Sequence, residues 1–154
     1  MRYFPAYCEP CRRSFLNGAE VPAAAPACPR CQHPGQLIPS AYYGEGDREI
    51  FFAFESAIHE ARLAPAQVSA LLTMLERVAQ TKQPTLLDVR ACLSRISGLA
   101  AVERVAADDS FSALRLLGLL LSLLTPLARA PAAGSGLYPV RVEPSLEDKL
   151  LGAG

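Results

Sequence analysis

This chain of 154 residues has only two histidines, equal numbers of basic and acidic residues at fifteen each, and two lysines. It also lacks an uninterrupted apolar run of the ~18–20 residues that a membrane span needs. Each shortage closes a class of function. With so few histidines, neither His-Glu-x-x-His nor Glu-x-x-His occurs, which removes the metalloprotease and helical di-iron classes. No phosphate-cradling glycine loop and no Gly-x-Ser-x-Gly elbow is present, so the chain reads as a non-enzyme without a small-molecule substrate. A protein held on nucleic acid by its phosphates carries a basic excess somewhere. Here residues 1–40 hold four arginines against two glutamates, and residues 41–63 hold five acids against two arginines. Nucleic-acid binding is therefore permitted but weakly supported. The opening Met1-Arg2-Tyr3-Phe4-Pro5 has no apolar h-region and no lipidation motif stands at either end, so the expected compartment is the cytoplasm. Abundant Ala, Leu, Pro and Arg beside scarce Lys suggest a GC-rich bacterial genome. No period of 20–50 residues repeats, which excludes a solenoid.

What is present begins with cysteine. Cys8-Glu9-Pro10-Cys11 and Cys28-Pro29-Arg30-Cys31 form two pairs, sixteen residues apart. Each Cys-x-x-Cys turn presents two thiolates to one side, and a β-excursion between the turns brings four sulfurs round a tetrahedral ion. Zinc suits such a soft four-thiolate set, with Zn–S of about 2.3 Å, and its binding orders a segment that has little core of its own. Tyr3, Phe4 and Tyr7 lead into the first turn, Phe15 and Leu16 leave it, and Leu37 and Ile38 follow the second. Through Cys8, Cys11, Cys28 and Cys31 the first forty residues resemble the zinc-ribbon superfamily. That resemblance implies a fold of short antiparallel strands and leaves the function open. Disulfides are disfavoured by the expected compartment, and a thioredoxin-like redox pair by the absence of a flanking strand and helix. Iron in a rubredoxin-like site is the rival, since ligand spacing alone does not separate the two metals. Rubredoxin-like turns usually carry Gly after the second Cys, where this chain has Arg12 and Gln32, and Pro10 removes one backbone N–H from the donors available to a sulfur.

Residues 17–26 read as an exposed excursion, and His33 as an exposed side chain beside a filled site. A linker is expected at 41–46, then a helix capped by Asp47 and running to about Leu63. Its buried stripe is Ile50, Phe51, Phe54, Ala57, Ile58 and Ala61. Phe52 is expected to pack, while Glu55, His59 and Glu60 are expected on a solvated face with an i,i+4 pair. A second helix starts at Pro65 and ends near Gln80, with Val68, Leu71, Leu72, Leu75 and Val78 inward. Thr85 and Asp88 open a third, through Ile96, in which unpaired Cys92 acts as a small buried hydrophobe. Leu99–Ala107 makes a short fourth.

The fifth helix, opened by capping oxygens of Asp108-Asp109-Ser110 and reaching Arg129, is mostly leucine. A helix so apolar wants to be surrounded, which predicts a central position with Leu117, Leu120, Leu121 and Leu124 inaccessible. Arg115, Ser122 and Arg129, seven apart, mark its wet face. Residues 130–136 have linker composition, and 137–151 offer an extended arm and a last helical turn.

The expected architecture is α+β: a zinc ribbon over 1–40, a linker over 41–46, a bundle of about five helices over 47–129, and a tether and tail over 130–154. The expected function is a non-catalytic adaptor with one structural zinc, a protein partner and a capacity to self-associate. A nucleic-acid-binding regulator using Arg12, Arg13, Arg30 and Arg2, or a rubredoxin-like electron carrier, are the alternatives.

Overall fold

A computed structural model describes residues 2–38, 43–108 and 110–129. Strands β1 (Arg2–Cys8), β2 (Arg13–Ala19) and β3 (Gln36–Leu37) precede a 3-10 turn (Glu45–Asp47). Helices α1 (Arg48–Ala61), α2 (Pro65–Ala79), α3 (Leu86–Ser94), α4 (Ala100–Ala106) and α5 (Ala113–Arg129) follow. The arrangement is α+β, as the sequence leads one to expect.

The sheet is antiparallel in the order β2-β1-β3. Cys8 pairs with Arg13 at the turn end, and Ala6 in mid-strand pairs with both Phe15 and Leu37. Alternation along β1 and β2 sends Ala6, Cys8 and Phe15 into one small core with Cys28. Leu16, the next residue on β2, packs against the helical core instead. Beyond the second cysteine turn Gly35 lies flat against the Phe15 ring. A Cβ there would stand 2.6 Å from Phe15 Cζ and 3.0 Å from the Pro26 carbonyl, so only glycine fits without displacement.

α5 is the centre of the helical body, packed against α2, α3 and α1. Leu116, Leu117, Leu119, Leu120, Leu123 and Leu124 are buried, which bears out the expected central position; Leu121 is only partly so. Pro65 occupies the first turn of α2, and Thr85 Oγ1 accepts the Asp88 N–H at 3.1 Å to start α3. Cys92 is buried beside Val89 and Leu93, its thiol pushed up by that burial, as befits a small hydrophobe.

Three local expectations are corrected. α5 starts at Ala113, because Ser112 rather than the Asp108–Ser110 stretch caps it: Ser112 Oγ accepts the Arg115 N–H at 3.1 Å. Asp108 closes a turn of its own, taking the Ser110 N–H at 2.9 Å. Ser122 is buried at 5 % exposure, since its hydroxyl meets Tyr43 Oη at 2.8 Å and donates to the Leu119 carbonyl at 3.0 Å. Phe52 stands 40 % exposed, edge-on to Phe51.

The expected linker is more tightly held than its composition suggests. Tyr43 exchanges two backbone hydrogen bonds with Tyr3, at 2.9 and 2.8 Å, and so extends the sheet beside β1. Residues 39–42, and the tether and tail at 130–154, lie outside the described residues, as does the Arg129 side chain. No described helix is long and apolar enough to cross a membrane.

Candidate metal centre

The two cysteine turns are built alike. Cys8 ends β1, and after Cys11 the chain enters β2. Cys28 to Cys31 is folded back on itself by hydrogen bonds from Cys28 N–H to His33 O at 2.9 Å and from Gly35 N–H to Pro26 O at 2.7 Å. The residue after each second cysteine adopts the left-handed conformation, Arg12 at φ 54° and Gln32 at φ 66°. These are the positions where rubredoxin-like turns carry glycine. The departure in residue type is therefore no departure in backbone, and it does not separate zinc from iron. Holding two non-glycine residues there costs about 1–2 kcal/mol each.

The four Sγ atoms lie within 4.8 Å of one another. Across the turns, Cys8 and Cys31 sulfurs are 3.5 Å apart and those of Cys11 and Cys28 are 4.0 Å apart. A tetrahedron with metal–sulfur bonds of about 2.3 Å has edges of about 3.8 Å, so the quartet has the size of a four-thiolate zinc or iron site. Among the described residues it is the only convergence of three or more His, Cys, Asp or Glu ligand atoms. His33 remains exposed, and its carbonyl rather than its ring serves the turn.

The local field already favours one thiolate. Burial works against ionisation of Cys28, but the Arg30 and Cys31 backbone N–H groups face its sulfur, and with the Cys8 and Cys31 side chains they bring it down to about 7. The Arg30 N–H is 3.4 Å from Cys28 Sγ. Cys8 is pushed up to about 12, chiefly by burial. Cys11 is raised mainly by its contact with Cys31. A cluster of thiols so close shares protons that a cation would displace.

Around the sulfurs the expected basic patch is rearranged. Arg12 is exposed on the first turn. Arg13 instead reaches α1, where Nε donates to Glu55 Oε2 at 2.9 Å and Nη2 to Oε1 at 2.6 Å. Arg30 Nη2 approaches the same Oε1 at 3.9 Å. Glu55 is 4 % exposed and so is not on the solvated face expected for it, although His59 and Glu60 are. The reason is legible in hindsight: Glu55 follows Phe51 by four residues and precedes Ile58 by three, which puts it on the apolar stripe.

Two more contacts seat the sheet on the helices. The Tyr43–Ser122 hydrogen bond reaches α5 from the end of the sheet opposite the cysteines, where Tyr43 pairs with Tyr3. At the same end Tyr3 Oη donates to Glu45 at 2.6 Å, with the Arg48 guanidinium 4.8 Å over the Tyr3 ring. Tyr7 is buried with no hydrogen-bond partner for its hydroxyl among the described residues, and burial pushes it up to about 12. Between the first cysteine turn and α1, α2 and α5 opens a cavity of about 420 Å³, floored by Ile58, Val68 and Leu123 and rimmed by Arg12 and Arg62.

No protein-family model matches this chain, and no curated protein or solved structure matches it.

Proposed function

We propose that the chain is a non-catalytic interaction protein whose N-terminal sheet is a zinc ribbon, held by one structural zinc on Cys8, Cys11, Cys28 and Cys31. The convergence of those four sulfurs within 4.8 Å carries the reading. Four thiolates fill a tetrahedral shell and leave no position for water or substrate, as a catalytic zinc requires. The metal's part is to fix the two turns; the chain's own groups orient the sulfurs and balance their charge. An interaction role is supported by the cavity at the junction of sheet and helices, where an apolar floor beneath Arg12 and Arg62 suits a protein side chain flanked by acids.

The arginines favour this over the nucleic-acid reading. Four thiolates on a divalent ion leave a dianionic centre, and Glu55 adds one negative charge. Arg12, Arg13 and Arg30 match that charge, and Arg13 and Arg30 spend theirs on Glu55. Native mass spectrometry of the purified chain is expected to find one zinc per chain. Titration with duplex DNA and single-stranded RNA is expected to show no submicromolar, salt-sensitive binding. Iron in the site overturns the metal assignment. Tight salt-sensitive binding, lost when Arg12 and Arg30 are changed, makes the regulator reading the better one.

A further inference from the structure

We infer that Glu55, on α1 and outside the cysteine-bearing segment, is a positioning residue of the metal centre: it clamps both cysteine turns through Arg13 and Arg30. This rests on the zinc reading above. Arg13 stands two residues after Cys11 and Arg30 one residue before Cys31, so each turn carries an arginine beside a ligand. The two guanidiniums converge on a single carboxylate oxygen, Oε1, at 2.6 and 3.9 Å. Arg13 adds a second bond to Oε2, and this planar fork sets direction as well as distance. Glu55 in turn sits on a helix whose flanking residues Phe51, Phe54 and Ile58 are buried in the helical core, so the carboxylate is a fixed point.

Each cysteine turn taken alone has little to hold it in place. Their shared core is Ala6, Cys8, Phe15 and Cys28, and the residue closing each turn is in the unfavourable left-handed region. Without an outside anchor, bringing the sulfurs to tetrahedral separation would fall to the metal alone. Glu55 supplies that anchor before the metal arrives, and removal of such supporting groups typically weakens a site 10–100-fold.

Charge and position predict opposite signs, which makes the inference testable. As a mere negative charge near a dianionic centre, Glu55 opposes the metal-bound state, and its neutralisation would tighten binding. As a clamp, its loss loosens the site. The full-length chain and three variants are compared by competition of a chromophoric chelator for Zn²⁺, with the Co²⁺ absorption spectrum as a check on tetrahedral thiolate ligation. Glu55→Gln is expected to weaken Zn²⁺ binding about tenfold. Arg13→Lys keeps the charge but not the fork, and is expected to weaken it by several-fold. Tyr43→Phe removes the Tyr43–Ser122 hydrogen bond, which joins the sheet to α5 away from the cysteines, and is expected to leave affinity unchanged. Helical circular dichroism confirms that each variant keeps its body. Wild-type protein that binds Zn²⁺, with Glu55→Gln binding equally or more tightly, overturns the inference alone. So does an equal loss in Tyr43→Phe, which would mean that general docking rather than the clamp supports the site. A wild-type chain that takes up neither metal overturns the zinc reading and the clamp together.

Discussion

Around the cysteines the buried apolar cluster is Ala6, Cys8, Phe15 and Cys28, whereas the helical body buries Phe51, Phe54, Leu71, Leu75, Val89, Leu93, Val102 and a run of α5 leucines in one continuous core. The sheet has little apolar surface of its own to offset the entropy of ordering its chain, and half of that small core is cysteine of the candidate metal centre. The helices need no such help, since each buried leucine contributes roughly 1.5–3 kcal/mol. One chain thus contains two regions that should fail under different insults.

The largest expected effect removes the metal from that comparison. Cys28→Ser is expected to unfold the sheet while most helical signal persists, because structural zinc in small domains is worth roughly 10–16 kcal/mol at neutral pH. Amide hydrogen exchange resolved by region checks it: protection should vanish over 2–38 and survive in α2 and α5. Acid should reach the same endpoint. On the proposed zinc reading the metal must displace protons from Cys8, pushed up to about 12, and from Cys11, also raised, so affinity rises with pH and falls as protons compete. A chelator titration across the range from roughly pH 7.5 to 5.5 should show at least a tenfold loss per unit. Affinity that is flat with pH would refute thiolate ligation.

The next effect strikes the other region. Leu120 is wholly buried on the central helix, and Leu120→Ala is expected to cost roughly 2–5 kcal/mol in denaturant melts of the helical signal. In native buffer its Co²⁺ spectrum should match wild type. Breaking the latch between the regions comes third. Arg13→Ala strands the Glu55 carboxylate, at 4 % exposure, without its main partner. Because Arg13 itself keeps some solvent, the cost should sit at or below the low end of the ~3–5 kcal/mol for wholly buried pairs. It should appear in the melts of both regions, unlike the two variants above.

Smaller effects sharpen the picture within the sheet. Gly35→Ala forces a methyl against the Phe15 ring and the Pro26 carbonyl, and is expected to cost roughly 1–3 kcal/mol, read as faster zinc release to a chelator. Gln32→Gly works the other way: relieving a φ of 66° should stabilise the zinc-loaded sheet by up to about 1 kcal/mol. A destabilised Gln32→Gly protein would mean that the side chain, and not the backbone, decides that position.

Much of the molecule was legible because it rests on spacing. Two Cys-x-x-Cys pairs at this spacing point to a metal site, since thiolates with two residues between them face the same way. Helical periodicity likewise located α1 to α5 to within a few residues, because apolar stripes and local caps such as Pro65 and Thr85 are written in neighbouring letters. Where caps compete, the local reading slipped: Ser112 rather than Asp108–Ser110 opens α5, and all of these residues are good capping types.

What no local pattern contained is the pairing of residues far apart in the chain. Glu55 stands on the apolar stripe of α1, but nothing near it in the chain names Arg13, forty-two residues away, as its partner until α1 is laid against β2. Ser122 reads as the polar strip of an apolar helix until Tyr43, seventy-nine residues earlier, arrives to cover it. The sequence alone determined the four cysteines of the candidate metal centre, the helices and the leucine core, because hydrophobic periodicity and Cys-x-x-Cys spacing act over a few residues. Tertiary structure alone decided which polar groups are buried and which arginines are spent, because a buried charge is tolerable only beside a partner that the fold must deliver.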